Sequence, residues 1–275
     1  MVFGVFVSRS ELQLRTDILS EHHKKFFDYR GITHTMSNYS TGSSSVPDMI
    51  TEAAEAQVDY LYVTDYNDFA PEHEIFGYNQ GVLVFTGKKI SYLDSHFLLY
   101  SQDSLKKLDS LGTAQALTND FLNRTPTDST PFTIVMAHPF KEGHEWTLAY
   151  PEGLSGIEVM NLRHMWQQNW LNQKPSFIWS LFLYIFNPRI SLLRLIDDPE
   201  KELDLWDTLN KSKKTLGFLG NHSTGKIFSF GPLSVSFPTY EDSFRFASNH
   251  ILLRSELTGV ASRDQEKIHS ALSMG

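Results

Sequence analysis

Six residues with side chains suited to catalysis or ion binding recur along the chain: His34, Asp65, Lys89, His138, Glu158 and His222. Most follow or close short runs of strand-forming residues: Tyr60–Val63 before Asp65, Val82–Phe85 ahead of Lys89, Phe132–Ala137 before His138, Gly156–Met160 around Glu158, and Thr215–Leu219 before His222. In α/β barrels and open sheets, that edge is where side chains from many strands converge. Imidazoles and carboxylates gathered there can hold divalent cations, which lower the pKa of a bound water and neutralise a phosphoryl group. A lysine among them brings a cation of its own and suits an anion. Strand ends are polar in any protein, so each residue taken singly reads as an ordinary loop residue. Their recurrence is what points to a common site.

The elements that would carry them alternate in period. Asp48–Gln57 reads as a helix, with Ser45 as N-cap and Pro47 in the first turn. Phe97–Tyr100 reads as a further strand, and Leu105–Asn123 and Leu203–Ser212 as helices. This alternation predicts βα units, and 275 residues suffice for one large α/β domain. A net charge of −8 with a pI near 5.7 argues against nucleic acid as a partner, because such binding needs a basic face. With no cysteine, disulfides, thiolate metal sites and cysteine nucleophiles are excluded together. The apolar start, Val2 to Val7, lacks a basic flank and full signal length, leaving a cytoplasmic protein or an exported one whose leader has been removed. The run Phe177–Phe186 is about half as long as a membrane span, so no transmembrane helix is expected there and a buried or lid-like helix is. Trp166, Trp170 and Trp179 read as packing residues of that region. His22, His23, His73, His144 and His164 read as surface residues, and His250 as a structural one in a helix-like stretch, Phe244–Leu253. Oligomeric state and a further C-terminal domain stay open.

Ordered motifs sharpen this. Gly31-Ile32-Thr33-His34-Thr35-Met36-Ser37 resembles an H-x-H-[ST] opening, and Thr64-Asp65-Tyr66-Asn67 a T-D-H-N motif. Gly87-Lys88-Lys89-Ile90-Ser91 stands where G-x-E-[IV]-S is expected, with His96 after it. Ala137-His138-Pro139 and Gly156-Ile157-Glu158-Val159-Met160-Asn161 match A-H-P and G-I-E-V-x-N, and Leu216–His222 is similar to a G-x-D-x-H ending. Together these resemble the PHP (polymerase and histidinol phosphatase) family, most closely its CehA-like metallohydrolase branch. The resemblance implies a distorted (β/α)7 barrel with a helical insertion near residues 162–212. It implies residues 29–275 as one PHP-like domain after an N-terminal segment, 1–28. It also implies phosphoester hydrolysis with up to three zinc, manganese or iron ions.

Four expected ligand positions depart from the pattern: Met36, Tyr66, Lys89 and Gly220. A thioether is a poor ligand for zinc or manganese, and a lysine ammonium cannot ligate. Like charges a few ångströms apart in a partly desolvated pocket repel by about 4 kcal/mol per unit pair. Lys89 in place of a bridging glutamate therefore favours a site without cations. The first expectation is a catalytically degenerate domain, a scaffold or a module for phosphate or a phosphorylated small molecule held by Lys89 and the histidines, with no metal cofactor. Lys89 would then pair with Asp65, or with Glu158 as the second candidate. The alternative is an active phosphoesterase with one divalent metal on His138, His222 and Asp65, with His34 as acid. A plainer alternative has His34, His138 and His222 as hydrogen-bonded core histidines.

Overall fold

The computed structural model describes residues 26–66, 77–91, 95–101, 116, 132–147, 149–151, 153–225, 227–230 and 233–274. The helix expected over Leu105–Asn123, apart from Ala116, lies outside the described residues, as do Val2–Val7, Asn67, His22, His23 and His73.

Strand β1 is Phe27–Thr35, exposed at its start and buried at its end. Helix α1 (Val46–Glu55) follows, and its first turn is set by Ser45, whose hydroxyl accepts from the Asp48 N–H, and by a proline at the N-terminus. Strands β2 (Tyr60–Val63), β3 (Gly77–Asn79), β4 (Val82–Ser91), β5 (His96–Ser101), β6 (Phe132–Met136) and β7 (Gly156–Asn161) come next. Four helices interrupt the strands: α2 (Leu162–Asn172), α3 (Lys174–Tyr184), α4 (Pro188–Leu193) and α5 (Glu200–Asn210). They occupy the place expected of the helical insertion. The chain then forms β8 (Leu216–Gly220), the β9–β10 hairpin (Ile227–Phe230, Leu233–Ser236), α6 (Tyr240–Phe246), β11 (Asn249–Leu253) and α7 (Ala261–Met274).

The main sheet runs β11-β1-β2-β4-β5-β6-β7-β8, with β3 added beside β4. Pairing is parallel from β1 to β4 and from β6 to β8, while β5 is antiparallel to both neighbours. The sheet curls until β8 meets β1, giving the distorted barrel expected from the motifs. Closure uses few ladder bonds: Met36 N–H donates to the Ser223 carbonyl at 3.1 Å. The Asn249 amide bridges the remaining gap, accepting from Leu219 N at 2.9 Å and donating to the Leu219 carbonyl at 2.8 Å.

The two-residue period of the strands divides their side chains between two cores. Ile32, Leu61, Val63, Val82 and Val84 pack outward against Met49, Ile50 and Ala53 of α1. Tyr60, Tyr62, Leu83, Phe85, Leu98, Tyr100 and Val135 fill the inside, with Ile268 and Leu272 of α7 in the same cluster. Burying each large apolar side chain contributes roughly 1.5–3 kcal/mol.

Three local expectations need correction. β4 extends to Ser91, because antiparallel pairing with β5 continues it beyond Phe85, and Lys89 sits inside a ladder opposite Leu98. The stretch Phe244–Leu253 is not one helix: α6 stops at Phe246 and His250 lies half-exposed on β11, 2.8 Å from the Asp28 carboxylate. The apolar run Phe177–Phe186 is buried along one face only, through Phe177, Ser180 and Tyr184, whereas Ile178, Trp179, Phe182, Ile185 and Phe186 are exposed. Among the described residues, no helix is long and apolar enough to cross a membrane.

Candidate functional site

Glu158, third residue of β7, is buried at the centre of the barrel mouth. One carboxylate oxygen accepts from His34 Nδ1 at 2.6 Å; the other accepts from the His138 backbone N–H at 2.9 Å and from Asn161 Nδ2 at 2.7 Å. Across the β7–β8 pair, Gly220 leaves the space that this carboxylate fills. A Cβ built at Gly220 would lie 2.0 Å from Glu158 Oε1. Gly220 and the placement of Glu158 are thus one arrangement, in which the carboxylate fills the volume that a side chain at 220 would need.

Lys89 is fully buried. Its Nζ lies 3.0 Å from His222 Nε2, and Arg163 Nη1 lies 3.3 Å from the same nitrogen. Two cationic side chains therefore aim their N–H groups at one imidazole lone pair, which assigns the His222 proton to Nδ1. The ring of Tyr66, in the second variant position, stands 5.2 Å from Lys89 Nζ and offers it a π face. Three rings lie nearly parallel: His34 and His222 have centroids 4.1 Å apart, His222 and His138 5.6 Å. His96 meets His138 edge-on at 4.7 Å, with His144 4.5 Å beyond it. His144 and His164 are therefore half-buried neighbours of the cluster, not surface residues. His138 and His222 both adopt positive φ, 34° and 48°, immediately past their strands. Left-handed backbone at a residue other than glycine is strained, and such strain gathers at functional sites.

Burial dominates the protonation of this cluster. His34 is held at about 4 by desolvation, which outweighs the attraction of Glu158. At neutral pH it is thus a neutral ring donating Nδ1–H to a carboxylate, with Nε2 carrying a lone pair. His96, His138 and His222 are lowered by burial and then by Lys89. The Lys89 amine itself is held well below its ordinary value by burial, against the pull of Glu158 and with the repulsion of Lys141 and Arg163. Burial alone would raise the Glu158 carboxyl, but His34, Asn161 and Lys89 hold it below the usual range.

His34, Lys89, His138, Glu158 and His222 thus meet in one cluster. Asp65 does not pair with Lys89 as expected. Its Oδ1 accepts from Ser37 N at 2.9 Å and from the Ser40 hydroxyl, and its Oδ2 accepts from Ser37 Oγ at 2.5 Å. The following turn saturates it, so it acts as a local anchor. Met36 also turns into that segment, its sulfur accepting from Thr41 Oγ1 at 3.3 Å. Arg163 and Lys141 at the site were not singled out from the sequence, and His96 and Asn161 were quoted in motifs without being given a role there. Arg163 and Asn161 had a visible signal, lying at and just beyond the end of the Gly156–Asn161 motif.

Several buried ring nitrogens meet no partner: His34 Nε2, both nitrogens of His138, and His222 Nδ1. Buried polar groups ordinarily have a partner, so these nitrogens are available to a bound group or to water. The three-ligand set His138, His222 and Asp65 does not fit a divalent metal, because Asp65 is saturated by serines and His222 Nε2 faces two cationic side chains. Among the described residues, no group of three His, Cys, Asp or Glu side chains has the geometry to hold a metal ion. The cationic balance around the cluster, from Lys89, Lys141 and Arg163, suits an anion.

No protein-family model matches the chain, and no curated protein matches it. Among solved structures it is similar to PsfC from Pseudomonas syringae, with 16% identity, a TM-score of 0.44, and 89% of this chain and 99% of that one covered. A two-domain protein from Bacteroides vulgatus containing a predicted PHP-like metal-dependent phosphoesterase has 17% identity and a TM-score of 0.36, with 52% and 49% covered. A candidate metal-dependent phosphoesterase from Bifidobacterium adolescentis has 13% identity and a TM-score of 0.39, with 72% and 88% covered.

Proposed function

We propose that the chain is a PHP-like barrel, a single domain over residues 29–275, whose centre has been rebuilt to bind phosphate or a phosphorylated small molecule without divalent metal and without turnover. The observation that carries this reading is the buried Lys89 Nζ, 3.0 Å from His222 Nε2, with Arg163 at 3.3 Å from the same nitrogen. Charged N–H donors give the strong, short hydrogen bonds that phosphate oxygens accept. The imidazoles of His138 and His222 supply further buried N–H donors that lack a partner. A bound dianion would also draw a proton onto the Lys89 amine, whose charge burial opposes. Phosphate binding should therefore take up a proton.

The test is calorimetric titration of protein purified without chelator, run in two buffers of different ionisation enthalpy, beside elemental analysis of the same sample. The reading expects phosphate binding with proton uptake, substoichiometric zinc, manganese and iron, and loss of binding in Lys89→Met. Stoichiometric metal, or hydrolysis of a phosphomonoester, would overturn it. Such a result would establish the second reading, a phosphoesterase with a reduced metal set, which is favoured by the two unbonded nitrogens of His138.

A further inference from the structure

A cavity of about 120 Å³ opens between α2, α3 and the segment after β8. Its polar lining comes from Arg163, Gln167, His222 and Thr224, and Arg163 and Lys89 both reach the same nitrogen of His222. Its walls are aromatic: Trp166, Trp170, Phe177 and Phe237. These rings support one another edge to face, with Trp170 and Phe177 at 5.4 Å and Phe177 and Phe237 at 5.7 Å. Trp170 is 44% exposed at the surface, whereas Trp166 and Phe237 are buried. The Trp166 indole N–H is buried and meets no acceptor, although buried indoles ordinarily find one.

Inorganic phosphate needs none of these walls. Pockets that take organic ligands combine mainly apolar and aromatic linings with a few convergent polar groups, and this cavity has that construction. Resting on the anion-site reading above, we infer that the ligand is an amphiphilic phosphate ester. Its phosphate is held by Lys89, Arg163 and His222, and an apolar or aromatic group lies between Trp166, Trp170, Phe177 and Phe237. Trp166 and Trp170, which the sequence suggested as packing residues, then form part of the wall that selects the ligand.

Calorimetric titration of the whole chain with inorganic phosphate, glycerol phosphate and phenyl phosphate tests this. Burying one ring should make phenyl phosphate bind about 10- to 100-fold more tightly than glycerol phosphate. Trp170→Ala, at a half-exposed position, should erase most of that preference. Equal affinity for the two esters, or exclusion of phenyl phosphate by protein that binds phosphate, overturns the inference and leaves the anion site standing. If none of the three compounds binds, the anion site falls, and the inference with it.

Discussion

The pairing of Gly220 with Glu158 can be tested with one methyl group. In Gly220→Ala the new Cβ would stand 2.0 Å from Glu158 Oε1 and 2.4 Å from its Cδ, distances that no packing tolerates. A carboxylate at the end of a flexible side chain could normally swing away cheaply. This one is buried and accepts from His34, His138 and Asn161. Displacing it breaks up to three hydrogen bonds to buried groups, each worth about 1–3 kcal/mol when a partner is stranded. The expected loss is roughly 3–6 kcal/mol, a large part of the ~5–15 kcal/mol that holds a domain together. At about 2–4 °C per kcal/mol for chains near this size, Tm should fall by roughly 10 °C or more. Gly217→Ala is the control, since its Cβ meets only the Trp206 ring and Val159 at 3.1–3.2 Å and needs a shift of a few tenths of an ångström. Urea titrations and thermal melts of the two variants give the comparison. Gly220→Asp should be worse than Gly220→Ala alone, yet Gly220→Asp with Glu158→Ala should recover about 1–3 kcal/mol relative to the sum of the single changes. A Gly220→Ala protein melting within about 2 °C of the parent would refute the reasoning, and with it the idea that Glu158 is locked into the space beside Gly220.

Other outcomes follow from the same cluster. His34, His96, His138 and His222 all take up protons less readily when folded than when unfolded, so the unfolded chain binds more protons below pH 6.5. Stability should therefore be full above that pH and fall as pH drops towards 4, with urea midpoints showing an uptake approaching four protons and His34→Gln removing part of it. The depressed Lys89 amine gives the same sign at higher pH: the unfolded chain keeps a proton up to 10.5 that the native state sheds earlier. As pH rises towards 10.5 the parent should gain on Lys89→Met by up to about 1.4 kcal/mol per pH unit, and parallel profiles would count against the buried amine. Asp65→Ala should cost about 2–4 kcal/mol through its lost serine and backbone bonds, by the same amount with or without chelator in a denaturation series. A chelator-dependent difference would mean that Asp65 serves a metal after all.

The legible parts of this molecule were those governed by short-range chemistry. Tyr60–Val63 is a run of four buried residues with no polar interruption, which a strand covered on both faces requires. Ser45 and Pro47 fix the start of α1 through local geometry alone. The convergence of His34, Lys89, His138, Glu158 and His222 was legible because strand ends in such sheets share one edge. Partner choice within that edge was not, because it is decided by three-dimensional competition. Asp65 and Lys89 are adjacent in the barrel, with Lys89 N donating to the Asp65 carbonyl at 3.0 Å. Even so, the Ser37 and Ser40 hydroxyls reach the Asp65 carboxylate, and the lysine turns to a histidine. Nor could pairing distances reveal that β4 runs on to Ser91, since its extension depends on a hairpin-like partner, β5, that reverses direction.

That same competition links Met36, Tyr66, Lys89 and Gly220 in one arrangement. Removing the side chain at 220 allows Glu158 to take its space and bind His34. His34 then presents only a lone pair at Nε2, while His222 accepts from Lys89 and Arg163. Tyr66 covers the lysine with its ring, and Met36 turns away into the Ser37–Ser44 turn. Changing any one of the four singly would leave the other three arrangements in place: a glutamate at 89 would lose the Tyr66 contact and add a second carboxylate to the cluster that holds Glu158, and an aspartate at 220 would meet Glu158 directly. The site is therefore a coupled unit, and on the metal-free reading proposed above a metal would be admitted only if Glu158 moved and Met36, Tyr66, Lys89 and Gly220 changed together.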